Sequence, residues 1–292
     1  MANFIIEDIK NAWNKKDNGL IKIIIINIIV FVSVSFIQVI LTISGLSSFF
    51  TLLINKLMLP ASLSTFILQP WSIISYFFLH MNFMHILWNM LFLYWFGKII
   101  TDNIGNNALI SLYVLGGIIG GLLYMATYNI IPYYGERVSE SLMLGASAGV
   151  FSVVVGSATL MPNYTFYLLL IGPVRIKYIA LFYVLLSFFD VAGSNAGGEI
   201  AHLGGAFIGY IFIKQLQNGV NMGEGIINLI NLFNKKKRKK ESKRDVSQDL
   251  RKGSIEPSQD EVDKILDKIS DSGYSSLTKK EKERLFNASK KQ

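Results

Sequence analysis

Three short stretches place polar side chains in a chain that is otherwise apolar. Met84-His85-Ile86-Leu87-Trp88-Asn89 sets a histidine and an amide four residues apart. On a helix they share one face, roughly 6 Å from each other. Two donors on one face can hold an anionic oxygen; the same pair serves equally as glue between helices. Gly145-Ala146-Ser147-Ala148-Gly149 has the form G-x-S-x-G. In soluble hydrolases that pattern marks a strand-to-helix elbow. Here a long apolar helix follows, and Gly, Ala and Ser are common where membrane helices approach closely. A serine at a helix start has free backbone N–H groups beside it, which stabilise negative charge. Ala201-His202-Leu203-Gly204-Gly205-Ala206-Phe207-Ile208-Gly209 carries a G-x-x-x-G pair, Gly205 and Gly209, with His202 three residues earlier on the same face.

Together these residues suit acyl transfer. An unactivated serine is a poor nucleophile, and a neighbouring imidazole can take its proton and later return it to a leaving amine. The Ser147 N–H with His85 and Asn89 can stabilise the tetrahedral oxyanion. Asp190 and Glu199 sit at loop edges, so a Ser147–His202 dyad is the simpler reading than a triad. No H-E-x-x-H is present, and with no cysteine there is no thiolate metal site or disulfide framework. Neither a metal nor a cofactor is expected.

The elements that must carry these residues are membrane spans. Residues 235–292 hold 18 Lys+Arg and 11 Asp+Glu, which leaves only 10 and 9 for the first 234. That excludes a soluble globular enzyme. Six apolar spans are predicted: Leu20–Ile43, Met84–Ile100, Ala108–Ile130, Ala146–Met161, Ile176–Asp190 and Ile200–Leu216. With the N-terminus inside, Lys10, Lys15, Lys16, Lys22, Lys98, Arg175, Lys177 and Lys214 lie inside, against Lys56 and Arg137 outside. Spans 2, 4 and 6 then begin at the outer side, which brings His85, Asn89, Ser147 and His202 to one shallow depth. The first outer loop, about 44–83, is apolar enough for short helices in the interface. The inner loop Pro162–Pro173 is also apolar and is expected to dip into the inner leaflet. Gly116, Gly117, Gly120 and Gly121 read as packing. The glycine-rich loop 191–198 reads as a gate or as an ordinary connection, and His80 as a loop-stiffening residue outside the catalytic set.

At these residues the sequence resembles the rhomboid intramembrane serine proteases. H-I-L-W-N (His85 to Asn89), G-A-S-A-G (Gly145 to Gly149) and A-H-L-G-G-A-F-I-G (Ala201 to Gly209) occur in the family's order. The resemblance covers about Leu20 to Leu216. It implies a Ser147–His202 dyad, an oxyanion site with His85 and Asn89, and an aromatic, Phe151, packed on the catalytic imidazole. Gly145, Gly149, Gly205 and Gly209 are the supporting positions. Ala148 stands where members often carry Gly, adding one methyl near the oxyanion, and the first outer loop lacks the Trp-Arg pair of many members. The implied reaction is hydrolysis of peptide bonds in or beside transmembrane segments of membrane proteins. The implied fold is an all-α, polytopic six-helix membrane bundle.

The alternatives are a catalytically silent binder of membrane proteins on the same fold, and a transporter. A transporter predicts a midplane site and paired repeats; the polar residues here gather at one rim. The expected organisation is a cytoplasmic segment 1–19, a six-span domain 20–217, a basic linker 218–257 and a small helical cytoplasmic tail 258–292. Lys235-Lys236-Lys237-Arg238-Lys239-Lys240 beside the inner leaflet attracts anionic lipid; no nucleic-acid partner is expected. Two capping boxes, Ser258 to Glu261 and Thr278 to Glu281, predict short helices in the tail. The first span runs too long for a signal-peptide core and no cleavage site follows it, so it is expected to be retained. With no targeting segment and no cysteine a bacterial inner membrane is the expected location, and the Lys and Arg balance puts both termini in the cytoplasm.

Overall fold

In a computed structural model, the structure describes residues 7, 10–15, 17–168, 171–232, 259–272, 276–278, 281 and 285. The chain divides into two compact units, residues 1–227 and 228–292. The first unit is mostly helical. Four of its helices are long and apolar enough to cross a membrane: α1 (Gly19–Ile43), the fifth and sixth helices described below, and the last long helix of the unit. Helix α1 turns most of its surface outward, with Ile28, Ile29, Val32 and Phe36 exposed. One stripe faces inward, and the buried Asn27 amide donates to the Tyr113 hydroxyl at 3.1 Å.

The loop after α1 folds into α2 (Ser47–Asn55), α3 (Leu63–Leu68) and α4 (Ser72–Ser75), followed by a 3-10 turn at Tyr76–Phe78. Phe49, Leu52, Leu63, Ile67 and Trp71 remain exposed on these short helices, an apolar surface suited to a membrane interface. The aromatic turn plugs into the bundle: the Tyr76 hydroxyl donates to Gly117 O and the Tyr113 hydroxyl donates to Phe77 O.

The core follows. Helix α5 (Phe83–Ile104) begins where the Asn82 side chain accepts from the Met84 and His85 N–H groups. Gly105, at φ +87°, turns the chain into α6 (Asn106–Ile130). After a 3-10 turn at Pro132–Arg137 come α7 (Ser147–Leu160), α8 (Ile176–Phe189) and α9 (Ala196–Gln217). Helices α7 and α8 are apolar but only 14 residues long. Helix α7 lies in the middle, its Ala148, Gly149, Val150, Val153 and Val154 buried.

Close backbone approach holds α6, α7 and α9 together. A methyl on Gly205 would collide with Ala148 O, one on Gly209 with Ser152 O, and one on Gly149 would lie 2.7 Å from Tyr113 O. Lipid offers no hydrophobic drive between helices, so such small-residue seams supply the packing. Serine hydroxyls add bonds between helices, Ser152 to Leu112 O on α6 at 2.5 Å and Ser157 to Phe96 O on α5 at 2.8 Å.

The fold is not purely α. Strand β1 (Leu59–Pro60) pairs antiparallel with β2 (Leu142–Met143), tying the first loop to the segment just before Gly145. Strands β3 (Thr165–Leu168) and β4 (Gly172–Arg175) pair antiparallel between the fourth and fifth expected spans, where an apolar loop without strands was expected. Local pairing satisfies backbone groups that an irregular apolar loop would leave open.

In the second unit, α10 (Gln259–Ser272) turns Ile265 inward, and Lys268 pairs with Glu281 at 3.0 Å. The second capping box forms: Thr278 N–H donates to Glu281 Oε2, and Glu281 N–H donates to Thr278 Oγ1. The Thr278 N–H, then the Lys268 ammonium and the Thr278 hydroxyl, hold the Glu281 carboxyl down at about 2. Ser258 of the first box and the Lys235–Lys240 run lie outside the described residues.

Candidate active site

Ser147 opens α7, and no side chain caps the helix. The first intrahelical bond runs from Val150 N–H to Ala146 O. The N–H groups of Ser147, Ala148 and Gly149 therefore have no acceptor within the helix. The approach to Ser147 is set by Gly145, whose N–H donates to Tyr76 O at 3.0 Å. Its φ of +128° favours glycine, and a methyl there would stand 2.8 Å from the His85 ring. Gly145 thus brings the loop flat against His85 before α7 begins.

Ser147, His202, His85, Asn89 and Phe151 line one cavity of about 710 Å³ at the end of the bundle where α5, α7 and α9 begin. Trp88, Tyr183 and Asn195 line it too. The Phe151 and His202 rings stack, 4.2 Å apart and 8° from parallel. His202 Nδ1 lies 3.1 Å from Glu199 Oε2 and 3.2 Å from Ser187 Oγ. With Nδ1 engaged, Nε2 is the nitrogen left to serve a serine proton. Among the described residues no direct Ser147–His202 hydrogen bond is made; bonds of this kind commonly tighten only when substrate is present.

Asn89 is buried, and its Nδ2 donates to His85 O at 2.9 Å and lies 3.4 Å from His80 Nε2. Its two N–H groups thus have partners in the resting site, and offering one to an oxyanion requires leaving His80. His80 belongs to this assembly rather than only to its loop. It is buried beside His85, their ring centroids 5.1 Å apart. Burial first, then the neighbouring His85, pushes its pKa down to about 4, so it is a neutral acceptor near neutral pH.

Gly149, Gly205 and Gly209 lie in the helix seams described above. Ala148 belongs with them. A methyl on Gly120 would fall 2.7 Å from Ala148 Cβ, so the extra methyl points into the α6 seam. The 191–198 loop is tied down by Tyr134 and Tyr133, whose hydroxyls donate to Val191 O at 2.8 Å and Ala192 O at 3.3 Å. Ser187 and Asn195, which the motifs did not include, and Glu199, set aside there at a loop edge, cluster behind His202. For Glu199 a signal existed, since it stands three residues before His202 on one helix face.

Comparison with known proteins gives two family matches. The Rhomboid domain matches residues 68–217, and a family of unknown function, DUF6576, matches residues 256–291. Two proteins of Arabidopsis thaliana are similar to this chain. RHOMBOID-like protein 12, mitochondrial, is 28% identical over 152 residues, covering 49% of this chain and 45% of that protein. Rhomboid-like protein 16, chloroplastic, is 26% identical over 153 residues, covering 49% and 48%. The chain spans about half the length of the curated relatives it matches.

Proposed function

Since the chain belongs to the rhomboid family, we propose that it is an intramembrane serine endopeptidase that cuts membrane proteins in or beside their transmembrane segments. The observation that carries this reading is the meeting of Ser147, at the uncapped start of α7, with the stacked and anchored His202 in one cavity. In this reading His202 Nε2 takes the Ser147 proton as Oγ attacks the scissile carbonyl carbon. The negative oxygen accepts from the free N–H groups at the start of α7, with His85 and a released Asn89 amide beside it. Collapse breaks the C–N bond, the imidazolium protonates the leaving amine, and a Ser147 acyl ester remains. Water then attacks that ester with His202 again as base, releasing the acid and the serine. The bound segment must unwind first, because a helical peptide bond is already hydrogen-bonded and covered. Small or helix-weakening residues near the cut favour that.

We read six spans, with α7 and α8 completing the four longer helices, both termini cytoplasmic and the cavity open to the outer side of a bacterial plasma membrane. Lys98, Lys177 and Lys214 stand toward the helix ends opposite the cavity, which supports this orientation. The basic run 235–240 then meets anionic inner-leaflet lipid.

The test is covalent labelling of the purified protein in liposomes by a fluorophosphonate or isocoumarin. Labelling at Ser147, lost in Ser147→Ala and His202→Ala, is the expected result. A folded protein that binds client helices without labelling would make it a catalytically silent member, and solute flux unaffected by Ser147→Ala would make it a transporter.

A further inference from the structure

We propose that Glu199 is the positioning residue of His202, so that the site works as Ser147–His202–Glu199 with the carboxylate fixing the histidine's tautomer. This rests on the serine-protease reading. A dyad by itself leaves the second ring nitrogen of the histidine uncommitted, and which nitrogen carries the proton is set by the partner of the other. Here that partner is charged. Glu199 Oε2 stands 3.1 Å from Nδ1, and the two side chains are only 15% and 13% exposed. An ionised carboxylate only accepts, so Nδ1 must carry the hydrogen, and in the neutral ring that serves as base Nε2 then presents its lone pair.

The carboxylate is itself held. Asn195 Nδ2 donates to Glu199 Oε1 at 3.2 Å from the loop side. Ser187 Oγ, at the end of α8, closes on the same ring nitrogen at 3.2 Å. Phe151 fixes the plane of the ring from α7. The imidazole is thus oriented by three elements, and Glu199 is the charged member of the set. The reading in which Glu199 only favours the first turn of α9 through the helix dipole leaves its approach to Nδ1 without a purpose. A carboxylate only 15% exposed and set against the ring nitrogen otherwise loses solvation with nothing gained.

Two measurements on the full-length protein test this. The first is the ¹⁵N spectrum of its three histidines, with His202 assigned by its loss in His202→Ala. The expected native signature is Nδ1–H with Nε2 unprotonated, and Glu199→Ala should mix the two tautomers. An Nε2–H tautomer in the native protein, or a spectrum unmoved by Glu199→Ala, overturns the proposal. The second is cleavage. Removing the orienting charge from a serine–histidine pair costs up to about 10⁴-fold in kcat, so Glu199→Gln should lose at least about tenfold with KM little changed. Glu199→Asp should recover part of the loss. Native kcat in Glu199→Gln overturns the proposal while leaving the protease reading standing. A native protein that neither labels nor cuts overturns the protease reading, and the histidine spectrum still decides whether Glu199 sets the tautomer.

Discussion

Gly145 answers two demands at once, a φ of +128° and a ring lying where a side chain would begin. Either alone favours glycine; together they make the position intolerant. Gly145→Ala should cost about 1–3 kcal/mol in backbone strain and displace the His85 ring. Serine labelling should then fall well beyond what the lower melting temperature explains. Gly135→Ala, where a methyl meets open space, is the matched control and should leave both nearly native. Equal labelling in the two variants would show that the loop does not need this geometry. The candidate residues that line one cavity were legible in the sequence because chemistry constrains type and spacing together. A serine after glycine at a helix start, and a histidine before a G-x-x-x-G pair, are visible without coordinates. The anchors behind them were less so, Glu199 showing only as an i, i+3 neighbour of His202. Glu199 and Asn195 lie at a loop edge, where spacing along the chain does not say which side chains meet, and His80 reaches Asn89 only because the chain turns at Asn82. The direction of the Ala148 methyl was equally hidden, since it depends on how far α7 is rotated against α6.

Among the elements, α7 carries the most constraint for its length. It packs against α5, α6, α8 and α9, and where it crosses α9 the two backbones are separated only by hydrogen atoms on Gly205 and Gly209. Gly209→Ala should force the helices apart at Ser152 O and destabilise the bundle by about 1–3 kcal/mol. Phe207→Leu, on the exposed face of the same helix, should change stability far less. Thermal unfolding of both variants in one detergent reads the difference, and equal melting temperatures would mean that the seam is slack. Helix positions were well legible in advance because long apolar runs have few other uses. Met84–Ile100 became Phe83–Ile104, and Ala108–Ile130 became Asn106–Ile130. The connections were poorly legible for a physical reason. An apolar loop reads the same whether it lies in lipid, packs on the bundle or pairs with a distant strand. The β1–β2 pair joins segments some eighty residues apart, and nothing local in either announces it.

For the molecule as a whole, the open quantity is how the short helices sit across the bilayer. Fourteen residues of α7 reach roughly 21 Å, against a hydrocarbon core of about 30 Å. If the far end of α7 meets the inner surface, its first residue, Ser147, lies several ångströms below the outer one. A serine at that depth needs a water-filled recess, and the cavity at the start of α7 is of a size to provide one. The chain has no cysteine, so single cysteines report sidedness without background. The positions Lys56, Arg137, Asn163, Arg175 and Lys214 are all exposed. With six spans and both termini inside, a membrane-impermeant maleimide added to sealed cells should label Lys56→Cys and Arg137→Cys. Asn163→Cys, Arg175→Cys and Lys214→Cys should label only after permeabilisation. Asn163 is the decisive site, because it follows α7 directly. If Asn163→Cys labels from the same side as Arg137→Cys, α7 does not cross, and Ser147 is not reached through a recess from the outer surface as argued. If all five labels are inverted, the bundle is right and the cavity opens inward.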